Sequence, residues 1–263
     1  SIAALNLGAV DIIAKPVTNG FHQIKDIADE ILNKVTVAAE IDPSMLTRLV
    51  PGPDIDNRKP LSTSGSVSKE LPVVLIASST GGPRALRYII PKLPADTPAF
   101  FLVIQHLPIG FTASMAKDLD RLSALPVREA EDGDQPAMGL VLIAPAGKHC
   151  SFSRSGIIRL TDDPPLWGVK PAADVSFASA GTVFGARTIG VVLTGMGRDG
   201  AHGLAVIRSH GGRTLAEAES SCVVYGMPKE AVESGAAERS VDLKYMPEAI
   251  DSAIRSIDQN KPQ

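Results

Sequence analysis

Three apolar runs end in residues able to share one nucleophilic reaction. PVVLIASSTGG carries Ser78 and Ser79, AFFLVIQHLP carries His106, and TIGVVLTGMGRDG carries Asp199. A serine hydroxyl is a poor nucleophile until a neighbouring imidazole takes its proton, and that imidazole needs a carboxylate to fix its tautomer and stabilise its charged form. Ligands of open α/β sheets bind outside the carboxyl ends of the strands, so three such ends can build one site despite long separations in sequence. Taken singly, each residue has an ordinary explanation: SSTGG can cap a helix, His106 can satisfy nearby backbone, and Asp199 can cap the helix after it. Their matching positions at three run ends are what point to acyl transfer.

Within the first run, ASSTG is an alanine variant of the G-x-S-x-G turn and puts Ser79, not Ser78, at the nucleophile position. Gly81 and Gly82 permit a tight passage from strand to helix and aim backbone N–H groups at a developing oxyanion. Thr80 in STGG and Met196 in TGMG are the candidate oxyanion donors. The order serine, histidine, aspartate differs from the serine, aspartate, histidine of α/β-hydrolases, which disfavours an ordinary lipase or esterase.

These residues need a rigid frame, and the pattern from Leu71 onward supplies one. Short β-branched runs at 72–77, 99–105, 140–144 and 188–194, with weaker ones near 127–130 and 213–216, alternate with helix-like segments at 83–92, 112–122, 175–183, 200–209 and 246–257. The expected fold is α/β: a doubly wound, mostly parallel sheet covered on both faces. GKHCSFSRSGIIRLT, 147–161, reads as a small antiparallel hairpin. Residues 1–42 form a separate block in which Phe21, Ile24, Ile27, Ile31, Leu32 and Val35 recur at helical spacing. Residues 43–70, rich in proline, serine, glycine and charge, read as a linker. The division is therefore 1–42, 43–70 and 71–263.

Composition excludes several classes. The 263 residues are 44% hydrophobic, enough for a sizeable core, and 26 basic against 29 acidic side chains leave no electrostatic footprint for nucleic acid or an anionic membrane. No apolar run approaches the length of a membrane span, so the chain is not expected to be membrane-embedded. Two cysteines, Cys150 and Cys222, do not make a disulfide framework, and a reducing cytoplasm is the expected location. Neighbouring His149 and Cys150 face opposite ways in a strand, and His202 and His210 lack a third ligand. No metal and no cofactor are expected.

SSTGGP, QHLPIGFTASMAKDLD, EDGD, LIAPAGKH, TGMGRDGAHGL and AEAESSCVVYGMPKEAV follow one another as in the chemotaxis protein-glutamate methylesterases, the CheB family, which residues 71–258 resemble. The resemblance implies a catalytic Ser79, His106 and Asp199, with Ala77 and Ser78 standing where the family has glycine and alanine. It implies demethylation of glutamyl methyl esters, and deamidation of glutamines, on the cytoplasmic helices of chemoreceptors. It also implies that the loop carrying Trp167 and Pro171 borders the cleft. ALNLGAVDIIAKP is similar to the end of a response-regulator receiver domain, in which Lys15 would contact a phosphoryl group and a chemotaxis histidine kinase would be a partner through the full receiver. With the phospho-acceptor pocket outside this chain, unrestrained activity is expected. The alternatives are a phosphate- or nucleotide-binding α/β module, which leaves His106 and Asp199 unexplained, and a non-catalytic scaffold docking receptors.

Overall fold

The computed structural model describes residues 2–14, 28–41 and 71–259. Its centre is a seven-stranded parallel sheet in the order β3-β4-β2-β1-β7-β8-β9. The strands are β1 (Val73–Ser78), β2 (Phe100–Gln105), β3 (Val127–Glu129), β4 (Val141–Ile143), β7 (Thr188–Val192), β8 (Arg213–Glu217) and β9 (Arg239–Val241). A separate antiparallel hairpin pairs β5 (His149–Phe152) with β6 (Ile158–Thr161) across the SRSG turn. Both the parallel sheet and the hairpin are as expected; β9, three residues long, is additional.

Strands β1 and β2 are buried along their whole length because helices cover both faces. Side chains alternate across a strand, so each strand divides its residues between two cores. Val74, Ile76, Phe101, Val103, Ile189 and Val191 enter one core. It is closed by α3 (Gly82–Ile89), α4 (Thr112–Leu122) and α8 (Met246–Gln259). Val73, Leu75, Ala77, Phe100, Leu102, Ile104 and Val192 enter the other, under α5 (Ala173–Phe184), α6 (Ala201–Ser209) and α7 (Met227–Glu233). This parity decides which way the residues just past each strand point.

Two N-terminal helices, α1 (Ile2–Asn6) and α2 (Ala28–Glu40), precede the sheet. Ile2 and Leu5 are buried in the α3-side core, so this segment packs on the sheet domain. The helix expected from the spacing is present from Ala28; Phe21, Ile24, Ile27, Lys15 and the 43–70 linker lie outside the described residues. Among the described residues no helix is long and apolar enough to cross a membrane.

Candidate active site

The chain leaves β1 in one direction, toward β2, β4 and β3, and later returns on the other side through β7, β8 and β9. The order reverses at β1, which makes the carboxyl ends of β2, β1 and β7 the crevice of this sheet. Ser79, His106 and Asp199 follow those three adjacent strands.

Ser78 pairs with Gln105 in register, and the His106 N–H donates to the Ser78 carbonyl at 3.0 Å. The next residues, Ser79 and His106, are thus neighbours across the pair, and neighbouring strands lie about 4.8 Å apart. Residues 73, 75 and 77 and residues 100, 102 and 104 face α5 and α6, and continued alternation turns Ser79 and His106 the same way. Ser78 faces the opposite core, fully buried, where its hydroxyl donates to Gln105 Oε1 at 2.6 Å. Gln105 in turn donates to the Ser79 carbonyl at 2.9 Å and to the His106 carbonyl at 3.0 Å. Ser78 therefore braces the turn, and the half-buried Ser79 is the serine that meets the crevice.

Asp199 is buried, and its carboxylate is held from three sides. Oδ2 accepts from the Ala173 N–H at 2.6 Å, Oδ1 accepts from the Asp174 N–H at 3.0 Å, and His106 Nε2 lies 2.9 Å from Oδ2. The first turn of α5 thus supplies amide donors and the positive end of its dipole to the carboxylate. Because both oxygens already accept, His106 Nε2 carries the hydrogen on this contact and Nδ1 keeps its lone pair. In the familiar serine-protease arrangement it is Nδ1 that faces the carboxylate.

Asp174 returns the favour to α6. Its Oδ1 accepts from the Gly200 N–H at 3.0 Å and the Gly203 N–H at 2.7 Å, and its Oδ2 accepts from the Trp167 indole at 2.8 Å. Burial raises the Asp174 carboxyl, while the amide and indole donors pull it down. Two helix N-termini thus exchange aspartates, which fixes Asp199 against the start of α5. Twenty-five residues separate the pair, so no local motif announces it; the sequence shows only an acidic residue in the first turn of α5 and another just before the N-cap Gly200 of α6.

The turns beside Ser79 are equally constrained. Gly81 has φ +82°, a left-handed conformation, and a Cβ there would lie 2.7 Å from Val223 Cβ. A Cβ on Gly195 would meet Ser79 Cβ at 2.8 Å, so TGMG passes directly over the Ser79 turn. Among the described residues, neither the Thr80 nor the Met196 N–H donates a hydrogen bond, which leaves both amides available to an oxyanion. The Thr80 hydroxyl donates to Asp11 of the N-terminal segment, and Lys34 pairs with the same carboxylate at 3.2 Å.

Thr194 ties these turns together. Its carbonyl accepts from the Ser79 N–H at 3.0 Å, its hydroxyl donates to the Thr80 carbonyl at 3.0 Å, and its own N–H donates to Glu217 Oε2 at 2.8 Å. Burial pushes the Glu217 carboxyl from an ordinary 4.5 up to about 7. The folded protein thus holds this proton more tightly than the unfolded chain, so the associated stability is complete below pH 4.5 and is lost as pH rises through about 7. The loss is on the order of 3 kcal/mol. Glu217→Gln removes the titration, so its melting temperature relative to the parent is expected to climb between pH 5 and pH 8. A difference that stays constant across that range contradicts the assignment.

Both thiols are unsuited to nucleophilic work. Cys150 is buried and its thiol is pushed up to about 12, and burial also raises Cys222. His149, adjoining Cys150, is buried as well, and its Nδ1 accepts from the Ala172 N–H at 3.2 Å. His202 and His210 are exposed, away from these residues' cores. Among the described residues no three His, Cys, Asp or Glu side chains gather as metal ligands do.

Known proteins resemble this chain in sequence and in fold. The sequence model of the family described as CheB methylesterase matches residues 74–250. A protein-glutamate methylesterase/protein-glutamine glutaminase of Symbiobacterium thermophilum is 45% identical over 97% of this chain and 72% of the relative. A protein of the same name from Pyrococcus horikoshii is 41% identical over 98% of this chain and 70% of its own length. The crystal structure of the Thermotoga maritima CheB methylesterase catalytic domain superposes with a TM-score of 0.67 at 41% identity, covering 69% of this chain and 98% of that one.

Proposed function

The chain belongs to the CheB methylesterase family, and from that premise we propose that it hydrolyses γ-glutamyl methyl esters on the cytoplasmic helices of chemoreceptors. Ser79 Oγ attacks the ester carbonyl as His106 Nδ1 takes its proton. The Thr80 and Met196 amides receive the oxyanion. The tetrahedral intermediate collapses, Nδ1 returns the proton to departing methanol, and water repeats the sequence to free the glutamate and Ser79. Glutamine deamidation follows the same course with ammonia leaving. Asp199 holds the Nε2–H throughout, so that Nδ1 stays a lone-pair base in the ground state and the imidazolium is stabilised once formed.

The observation that carries the reading is the His106 Nε2 to Asp199 Oδ2 contact at 2.9 Å, with both carboxylate oxygens also bound to amides of α5. A phosphate-binding turn or an inert scaffold has no use for an imidazole oriented in this way. The deciding experiment is methanol release from methylated receptor by the purified chain. Accumulating methanol supports esterase action, and binding without release favours the scaffold.

The remaining assignments rest on the family. Residues 71–263 form the catalytic unit, 43–70 a linker and 1–42 the end of a receiver domain, with Lys15 at its phosphoryl contact. A chemotaxis histidine kinase is the partner of the full receiver, and the cytoplasm is where receptor helices and kinase meet. The Asp11 contact to Thr80 argues against the unrestrained activity expected from the sequence, because a carboxylate from the N-terminal segment engages the residue beside the nucleophile. Loss of one charge-assisted hydrogen bond in such a packed arrangement shifts the balance about tenfold or more. Asp11→Ala is accordingly expected to raise methanol release by about that factor, and an unchanged rate removes Asp11 from any restraining role.

A further inference from the structure

Beside the triad, the chain holds an aromatic ring and a cation in a costly arrangement that the hydrolytic steps do not use. Trp167 has φ +55°, the one non-glycine residue with positive φ among the described residues, and the residue remains 54% exposed. A bulky side chain enters that backbone region only when its surroundings enforce it, and such strain collects at functional sites. The enforcement is visible: the indole N–H donates to Asp174 Oδ2 at 2.8 Å, the same carboxylate that fixes α6. The guanidinium of Arg198, the residue before Asp199, lies 5.4 Å from the centroid of this ring. Arg198 is exposed, and among the described residues no carboxylate pairs with it.

A guanidinium held over an aromatic face by cation–π attraction has its N–H groups free for bidentate capture of a planar carboxylate. Methyl esters and amides are neutral and offer no such partner. Resting on the esterase reading above, we propose that Arg198, presented by Trp167, is a specificity determinant that binds a free carboxylate on the substrate helix one turn from the ester under attack. Residues three or four apart on a helix stand about 5–6 Å from one another, so a glutamate on that turn shares the exposed face with the scissile group. The enzyme then discriminates by the charge of the neighbouring side chain: a site beside a free glutamate is demethylated faster than the same site beside a glutamine or a second ester.

The test uses helical peptides carrying one glutamate methyl ester, with either glutamate or glutamine four residues to each side, and reads the ratio of kcat/KM between the acidic and neutral peptides. Any effect on both substrates alike cancels in this ratio. The parent chain is expected to favour the acidic peptide about fivefold, the scale of a well-oriented exposed ion pair. Arg198→Gln is expected to bring the ratio to about one, and Trp167→Ala, which removes the platform while keeping the charge, to an intermediate value. The preference is also expected to shrink as salt is raised. A parent ratio near one, or an undiminished ratio in Arg198→Gln, overturns the proposal while leaving the esterase reading intact. Failure of the parent chain to release methanol from any peptide or from whole receptor overturns the esterase reading and this inference with it.

Discussion

Ser79→Ala is expected to lower methanol release from methylated receptor by about a million-fold, the loss seen when the nucleophile of a triad acting as a unit is removed. The side chain sits at the one place where the β1 turn is half-buried, not sealed, with Gly195 close above it. Removing its hydroxyl takes away the acyl-enzyme route, and water in its place lacks the position that β1 provides. Binding and any oxyanion donors survive, so a residual rate well above uncatalysed hydrolysis is expected. Ser78→Ala is the matched control. Its hydroxyl braces Gln105 from the opposite core, and its loss is expected to reduce turnover by no more than about tenfold. Equal losses at both positions, or a nearly normal Ser79→Ala, would remove the nucleophile assignment.

His106→Ala is expected to match Ser79→Ala, about a million-fold, because neither group works without the other. Asp199→Ala is expected to cost less in turnover, about ten-thousand-fold, since the imidazole remains while its tautomer is no longer enforced. The same substitution also leaves the Ala173 and Asp174 amides at the start of α5 without their acceptor, at about 1–3 kcal/mol each. Asp199→Ala should therefore lower the melting temperature as well as the rate, whereas His106→Ala should act mainly on the rate. Combining His106→Ala with Ser79→Ala should add little to either alone. A double variant whose loss is the product of the two single losses would show that the residues act separately.

The sheet was legible because each long strand is a β-branched run bounded by glycine or proline and buried on both faces. Ser79, His106 and Asp199 stood out because they sit at equivalent points after three such runs. The parts that escaped are those with no local signature. Strand β9 spans three residues at the edge of the sheet, too short for a period to register. Helix α7 begins at Met227-Pro228 and runs only two turns. The exchange of Asp174 and Asp199 between two helix N-termini depends on how α5 and α6 pack, which spacing along the chain does not encode. Which imidazole nitrogen faces the carboxylate is likewise a property of the fold: Asp199 Oδ2 lies 2.9 Å from His106 Nε2. The family resemblance implied only that the loop carrying Trp167 and Pro171 borders the cleft; the link of Trp167 to Asp174 and its contact with Arg198 needed coordinates to be seen.

Covalent labelling tests the convergence most directly. The chain is treated with a serine-reactive phosphonate, digested, and the modified residue is identified by mass spectrometry in the parent and in His106→Ala. The account predicts a single adduct on Ser79 in the parent and its near-disappearance in His106→Ala, because the hydroxyl reacts only when Nδ1 takes its proton. An adduct on another residue, or labelling of Ser79 that proceeds equally well without His106, would contradict it.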